Sequence, residues 1–562
     1  MSLINRAKSY RVRERAHSEL LYDLMIARGV VGKKAQEQFL VPDFERDSHD
    51  PMLLPDMERA VDRILSAQKT GEKIAVWSDY DCDGIPGGVA LTEFLRAIGL
   101  SVVHYIPHRH KEGYGLNEEG ITELKEQGAT LVITVDLGTT EHANILFAKE
   151  RGIDVIVTDH HIVPTLEIAE QFPALAFINP KRADSLYPFD GLCGAGVAWK
   201  LIQGVLAKNR FGMKEGQEKW FLDLIGMATL SDMVPLVGEN RMLARYGLLV
   251  MRKGRRPGLA ALLKLLKIKP SSMTEDDIGF MIAPRINAAS RMDKPETAAR
   301  LLATNEAEEA LELAQILNHI NDERKGMVAA TVKEVNKRMH EHQESPVIVM
   351  GNPNWRPGIL GLVANTLAQT HGKPVFLWGR EGGDVIRGSV RGDSIVNIVQ
   401  LMEGAKDIFQ HFGGHHSSGG FSLAQERVHE LGPRLNEAFK ALGTKEIEEK
   451  EIIIDRTLDI AELPFAQAEL MKLAPFGVAN EKPLFIFPRV SIARTKMFGK
   501  NNDHLELELK GQSSPLSVAG ISFFSNVDSF SKQAEMGGRV DIVGNVELDW
   551  RGRPRIRVVD II

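Results

Sequence analysis

The sequence predicts a multidomain α/β protein: a parallel-sheet domain, a long connecting helix, a second α/β domain and a C-terminal β-barrel. Three observations carry this prediction. At 562 residues the chain exceeds what one hydrophobic core organises, and ~150 residues per domain gives roughly three or four units. Between residues 73 and 178 short apolar runs alternate with amphipathic stretches of helical period. After residue 451 the pattern changes to short alternating runs separated by turn residues.

The runs KIAVWSD, SVVHYIP, TLVITVD, IDVIVTD and ALAFINP have strand length, and GVALTEFLRAIGL, LNEEGITELKEQG and HANILFAKERG lie between them. Parallel strands need a crossover of helical length, so this spacing predicts βαβ units. From Gly194 to about Arg300 the pattern is mostly helical. Residues 305 to 342 contain no proline, one glycine and dense Glu, Ala, Leu and Lys, which predicts one long helix or two nearly continuous ones. A second α/β pattern runs from PVIVMG to Leu442, and the charge run KEIEEKE at 445–451 reads as a solvated linker. IIIDRTLDI, HLELELKG, LSVAGISFF, RVDIVGNVELDW and RIRVVDII then suggest a small barrel. The expected boundaries are 1–304, 305–342, 343–445 and 446–562.

With 43% hydrophobic and 26% charged residues the composition is neither disordered nor fibrous. The 69 basic and 75 acidic residues give net −6, so total charge points to no nucleic-acid partner. Two cysteines, Cys82 and Cys193, exclude a disulfide scaffold. No stretch supplies the ~18 uninterrupted apolar residues of a membrane helix. A cytoplasmic protein with no membrane association is expected.

The strongest local signal is Asp79-Tyr80-Asp81-Cys82-Asp83-Gly84, where the run KIAVWS ends. Three alternate carboxylates repel unless a cation gathers them. A calcium-binding EF-hand loop begins the same way but needs Glu at its twelfth position, where this chain has Ala90. Two further runs end in Asp136 and Asp159, the latter followed by His160 and His161. Ligands gather at the carboxyl ends of parallel strands, so these clusters should converge on one crevice, with Asp232 in LSDMVPLVGEN as a further candidate. Such a set can hold two divalent ions ~3.5–4 Å apart through a shared carboxylate, an arrangement suited to phosphate-ester hydrolysis. Oxygen-rich ligation with imidazole and no cysteine cluster suits Mn2+ or Mg2+, and the imidazole favours Mn2+.

These residues resemble the DHH phosphoesterase superfamily, whose naming triplet stands here as Asp159-His160-His161. Within it, the chain is similar to the bacterial single-strand-specific exonucleases along nearly its whole length. DYDCDG, IPHRHKEGYGLN, TVDLGTT, TDHH, LCGAGVAWKL, LSDMVPLVGENR, APRINAASRMD, NWRPGILGLVA, GSVRG, GGHHSSGGF and LAPFGVANEKPLF carry that similarity. The resemblance implies a DHH catalytic domain, a DHHA1-type domain that closes over the active site, and an oligonucleotide-binding (OB-like) barrel. It also implies metal ligands at Asp79, Asp81, Asp83, Asp136, His160 and Asp232, with Asp136 bridging. His161 would lie near the scissile phosphate, and Asp159 would either ligate directly or hold His160 in one tautomer.

For the 5′-terminal phosphate the resemblance implies Arg109, Ser389 and Arg391, with Arg285 or Arg291 as further candidates. Gly414 and His415 in the glycine-rich run would contact substrate phosphate. Trp550, Arg551 and Arg553 in DWRGRPRIR offer stacking and phosphate contacts on the barrel. Arg252, Lys253, Arg255 and Arg256 in MRKGRRPG make a second basic patch. Ser290, Leu137 and Ser418-Gly419 depart from the usual residues, while no expected metal ligand is missing. The implied activity is 5′-to-3′ hydrolysis of single-stranded DNA to 5′-mononucleotides in repair and recombination, by a monomer that works with a single-strand-binding protein and a helicase. Two rivals are hydrolysis of short oligonucleotides, cyclic dinucleotides or pyrophosphate, which needs no barrel, and a non-catalytic strand-binding scaffold, which needs no carboxylates.

Overall fold

The structure, a computed structural model, describes residues 9–109, 112–164, 172–292, 294–339, 345–380, 385–392, 396–443, 451–499, 502–511, 517–549 and 551–562. Trp550 and most of the KEIEEKE run lie outside the described residues. The chain forms two units, each interrupted in sequence by the other. The first comprises Glu37–Arg324 and Pro475–Glu481; the second comprises Met1–Gln36, Lys325–Ala474 and Lys482–Ile562.

Strands are numbered in chain order, and β1 (Tyr10–Val12) belongs to the second unit. The first unit is built on β2 (Lys73–Ser78), β3 (Ser101–Tyr105), β4 (Ala129–Val135), β5 (Asp154–Thr158) and β6 (Ala176–Ile178), all parallel in the order β3-β2-β4-β5-β6. Because successive side chains point to opposite faces, each strand feeds two cores. Ile74, Val76, Ile133 and Ile156 join the helices Gly84–Ala97 and Gly194–Lys208 on one side. On the other, Ala75, Trp77, Val132 and Val157 pack with Ile121 and Ile145 from the helices Glu118–Glu126 and His142–Glu150. Burial on both faces explains why these strands read as continuous apolar runs. The ladder continues one residue past three strands: Asp79 N–H donates to Val135 O, Asp136 N–H to Thr158 O and Asp159 N–H to Ile178 O. Three aspartates are thereby held in register at the carboxyl edge of the sheet.

In the second unit β7 (Ile348–Gly351) and β8 (Val375–Gly379) are parallel. β9 (Ile386–Arg391), β10 (His411–His415) and β11 (Ser418–Leu423) continue the sheet antiparallel, in the order β10-β11-β9-β8-β7. β12 is Ile452–Ile454, and β13 (Arg456–Thr457) lies beside the barrel strand β14 (Phe485–Phe498). The barrel continues through β15 (His504–Lys510), β16 (Ser517–Phe523), β17 (Arg539–Leu548) and β18 (Pro554–Ile561), and closes because β14 pairs with both β15 and β17. Leu505, Leu507 and Leu509 point inward between outward-facing His504, Glu506 and Glu508, the period-two pattern of a half-buried strand.

The expected long connector is the helix Ala307–Arg338, which passes from the first unit to the second in sequence at Arg324. The N-terminal boundary differs from expectation. Residues up to Gln36, expected with the catalytic domain, group with the second unit because β1 pairs in parallel with β12. Tyr10 Oη also donates to Asp560 at 2.6 Å, and Arg13 pairs with buried Asp23 at 3.1 Å. Among the described residues, no helix is long and apolar enough to cross a membrane.

Candidate metal centre

The β2–helix turn places Asp79, Asp81 and Asp83, and each carboxylate has a different local duty. Asp81 Oδ1 accepts from the N–H groups of Asp83 (2.8 Å) and Gly84 (3.1 Å), which starts the helix Gly84–Ala97. Asp83 accepts from Gly194 N–H (2.6 Å) and Ala195 N–H (2.8 Å), so it satisfies the open amino end of the helix Gly194–Lys208. Asp79 Oδ1 is buried with no hydrogen-bond donor on it.

Asp136 sits at φ 64°, a left-handed backbone that Asp tolerates better than most residues. A side chain on Gly194 would run into the Asp136 Cβ, so only glycine lets that helix end come so close. Asp232 follows the helix Leu222–Ser231, which crosses the helix Gly238–Met251 where Gly226 meets Gly247 without room for a Cβ on either. Ser231 Oγ donates to Cys82 O at 2.7 Å, and Asn287 Oδ1 accepts from Cys82 N–H at 2.7 Å. The helices bearing Asp232 and Asn287 are thus tied to the DYDCDG turn.

His160 Nε2 stands 3.2 Å from Asp136 Oδ1, 3.7 Å from Asp232 Oδ2 and 3.8 Å from Asp83 Oδ2. Asp79, Asp81 and Asp136 form one set of donor atoms within 4.8 Å of one another; Asp83, His160 and Asp232 form a second, and Asp136, His160 and His161 a third. Asp136 is therefore common to the first and third sets, and His160 joins the third to the second. Burial and the adjacent carboxylates resist ionisation of Asp79, Asp83, Asp136 and Asp232. Burial and then Asp81 push Asp83 up to about 6, burial and then Asp83 push Asp232 up to about 9, and Asp79 and Asp136 are raised for the same reasons. Burial and then His161 lower His160 to about 4, leaving a neutral imidazole among acids. Crowded oxygens with undonated lone pairs around a neutral imidazole fit divalent cations and suit no proton-mediated packing.

Asp159 belongs to none of these donor sets. It accepts from Thr139 N–H (2.9 Å), His160 N–H (2.7 Å) and His161 Nδ1 (2.7 Å). The imidazole it orients is thus His161, not His160. Although burial opposes ionisation, these bonds hold the Asp159 carboxyl well below the usual range, and Asp159 in turn raises His161 against its own desolvation. Asn179 steadies the pair, donating to Thr139 Oγ1 at 3.1 Å and His161 O at 3.0 Å.

Around this cluster Arg109 lies 4.7 Å over the Tyr80 ring, and Tyr114 packs edge-on to both Tyr80 and His161. Arg109 and Arg291 both act on the Tyr80 phenol, which burial nevertheless raises to about 12. Arg285 is differently placed: it is 5% exposed and donates to Asn318 Oδ1 (3.0 Å) and Met281 O (2.6 Å). The basic patch of MRKGRRPG is partly structural. Arg256 is paired with Asp223 and Glu93, and Arg252 donates to Met273 O, leaving Lys253 and Arg255 on the surface.

In the second unit the cross-strand register places Arg391, Ser418 and His415 in one row and Ser389, Gly420 and Gly413 in another, so GSVRG and GGHHSSGGF share one patch of sheet. Gly414 and His415 are exposed there. On the barrel, Arg551 is exposed, and Arg553 is committed to Asp549 at 2.8 Å. Sequence reasoning missed Tyr114, Thr139, Asn179, Ser231 and Asn287. The signal available for Asn287 was a lone amide in an alanine-rich helix.

Comparison with known proteins agrees with this architecture. The DHH family N-terminal domain matches residues 73–229, the DHHA1 domain 344–441 and the RecJ OB domain 454–559. The single-stranded-DNA-specific exonuclease RecJ of Bacillus subtilis (strain 168) is 32% identical over 552 residues, 96% of this chain and 67% of that protein. The protein of the same name from Salmonella typhimurium is 31% identical, covering 90% of each. Among solved structures, Thermus thermophilus RecJ in complex with Mn2+ matches with a TM-score of 0.79 and 27% identity over 99% of this chain and 79% of that one. An exonuclease RecJ bound to manganese matches at 0.60 and 31% identity, covering 70% and 96% respectively. A chain that carries these three domains in this order, at such identity to its relatives over most of their length, belongs to the RecJ family of DHH proteins.

Proposed function

We propose that the protein is a single-strand-specific 5′-to-3′ exodeoxyribonuclease that releases 5′-mononucleotides with the help of two divalent cations, Mn2+ or Mg2+. The observation that carries this reading is the crowd of buried carboxylates around His160, with Asp136 on the shared side of two donor sets. Asp79, Asp81 and Asp136 would hold one cation, and Asp83, Asp136, His160 and Asp232 the other. Bound there, such cations neutralise the charge that develops on a phosphodiester and lower the pKa of water. The names of the relatives and the manganese-bound RecJ structures support both the substrate and the metal.

The chain's own residues supply the rest. Asp159 fixes the His161 ring through Nδ1 and leaves Nε2 to meet a substrate oxygen. The raised pKa of His161 favours a protonated ring, which suits contact with phosphate. Arg109 lies over Tyr80 and Arg291 is near enough to act on its phenol, a pair of guanidinium groups suited to gripping a terminal phosphate. Ser389, Arg391, Gly414 and His415 give the second unit a patch suited to phosphate oxygens. Incubation with Mn2+ and 5′-labelled single strands should release labelled mononucleotide first, and a blunt duplex should persist. Shortening from the 3′ end, or equal attack on duplex, would overturn the proposal.

A further inference from the structure

The second unit carries a cavity that the proposed reaction does not use. It opens at the β7 edge of the sheet, beside the start of the helix Leu431–Leu442, and measures about 460 Å³. Small-molecule sites fall in the range ~300–1,000 Å³. Val349, Trp378 and Pro433 give the cavity an apolar side, and Arg338, His429 and Asn436 a polar one.

Strand register separates this cavity from the phosphate patch. Trp378 pairs with Gly388, Leu377 with Ser389 and Val375 with Arg391. Side chains alternate between faces, so Ser389 and Arg391 share the face of Leu377 and Val375, which packs against the helix Pro357–His371. Trp378 and Val349 belong to the opposite face. A ligand in the cavity would therefore leave Ser389 and Arg391 free for substrate.

The lining is built for a particular chemistry. Trp378 lies against Gly351, its register partner, where a Cβ would come within 2.3 Å of three indole atoms. Glycine at 351 thus lets the ring lie down as a wall. The ring stays half-buried, and its Nε1–H has no hydrogen-bond partner among the described residues. Asn436 accepts from Ser345 Oγ at 3.0 Å and keeps its NH2 group unpaired. Arg338 donates to Gly351 O at 3.2 Å with one amino group only. Glu334, one turn earlier on the same helix, is taken up by Asn352 Nδ2 and Trp355 Nε1 at 3.0 Å each. The described lining residues include no Asp or Glu. Guanidinium, amide and indole donors without an acid among them select an anion rich in acceptors. The indole beside Val349 and Pro433 selects a flat ring. A planar heterocycle that carries a phosphate meets both demands.

We propose that this cavity binds a nucleoside 5′-monophosphate, with the base against Trp378 and the phosphate on Arg338. The binding stands on the cavity itself; that the ligand is the enzyme's own product rests on the hydrolysis proposed above. The full chain would be labelled with fluorotryptophan and followed by fluorine NMR with divalent cations chelated, Trp378→Phe identifying the Trp378 signal. Thymidine 5′-monophosphate should move that signal saturably, at a concentration at least about tenfold below thymidine or inorganic phosphate. Arg338→Ala should raise that concentration about tenfold, while Mn2+-dependent hydrolysis of a dinucleotide stays unchanged. A Trp378 signal unmoved by millimolar monophosphate would overturn the site. So would equal shifts with thymidine or with phosphate alone, or unchanged binding by Arg338→Ala. If the monophosphate binds at Trp378 but the chain leaves single strands intact with Mn2+, the nucleotide site stands and the nuclease reading falls.

Discussion

Asp136→Asn offers the sharpest test of how the carboxylate cluster works. Asparagine keeps the shape and tolerates the left-handed backbone at φ 64°, whereas alanine would add strain. Only the charge is removed. Donor atoms within 4.8 Å of one another would repel by ~3.5 kcal/mol per fully charged pair at an effective dielectric of ~20. Because burial and the neighbouring carboxylates raise Asp136, the metal-free fold either bears part of this repulsion or holds a proton that the unfolded chain has released; replacing the carboxyl should therefore stabilise the metal-free protein at neutral pH by about 2–3 kcal/mol, which raises the melting temperature of a unit this size by about 5 °C. With saturating Mn2+ the order should reverse, because the wild-type site gains ~3 kcal/mol at a hundredfold excess over Kd and the variant gains much less. Turnover should fall at least ~100-fold. Differential scanning calorimetry with and without Mn2+, beside a nuclease assay, tests all of this. A variant that melts lower than wild type without metal, or keeps the full Mn2+ shift, would refute both the repulsion and the shared-ligand role.

The remaining predictions follow from the same cluster. Metal-free protein should lose stability as pH rises from about 4 towards 9, because Asp83 (about 6) and Asp232 (about 9) keep protons in the fold that the unfolded chain has already released. Saturating Mn2+ should abolish this trend, and melting curves at several pH values would show it; a flat metal-free profile would contradict it. Asp159→Asn should lower the His161 pKa, read by NMR. It should also cost about 1–3 kcal/mol, because asparagine offers one oxygen where Asp159 offers two, so either Thr139 N–H or His160 N–H is left facing an NH2 group. The stability of that pair is present above the ordinary carboxylate pKa and below the ordinary imidazole pKa; it fades as pH falls through the lowered Asp159 value or rises through the raised His161 value. Asn287→Ala should cost about 1–2 kcal/mol by stranding Cys82 N–H, and should weaken Mn2+ binding measured by calorimetry. Unchanged metal affinity would show that the DYDCDG turn stands without this tie.

Much of the catalytic unit was legible because its signals are local. A strand that ends in Asp79, Asp136 or Asp159 announces itself within a few residues, and parallel pairing then brings those ends together. Contacts that span the chain were not legible. Nothing near Asn287 in sequence shows that its amide meets Cys82, and nothing near Tyr10 shows that it meets Asp560. Adjacency misled once: His160 and His161 follow Asp159 directly, yet the ring that Asp159 orients is set by how the chain leaves β5. Arginines were hard to sort for a similar reason. Arg256 and Arg109 look alike in sequence, and only the carboxylates around Arg256 show that its charge is already matched inside the fold.

The pairing of β1 with β12 also governs when the protein can finish folding. The strand at Tyr10–Val12 leaves the ribosome first, but its partner at Ile452–Ile454 appears about 440 residues later, a delay of about 20 to 90 s at ordinary synthesis rates. For that interval the strand's backbone edge has no native neighbour and is open to wrong ones. The segment Pro475–Glu481 imposes a similar wait on the first unit. Neither unit is therefore a contiguous gene segment that could be transplanted, truncated or expressed alone with its fold complete.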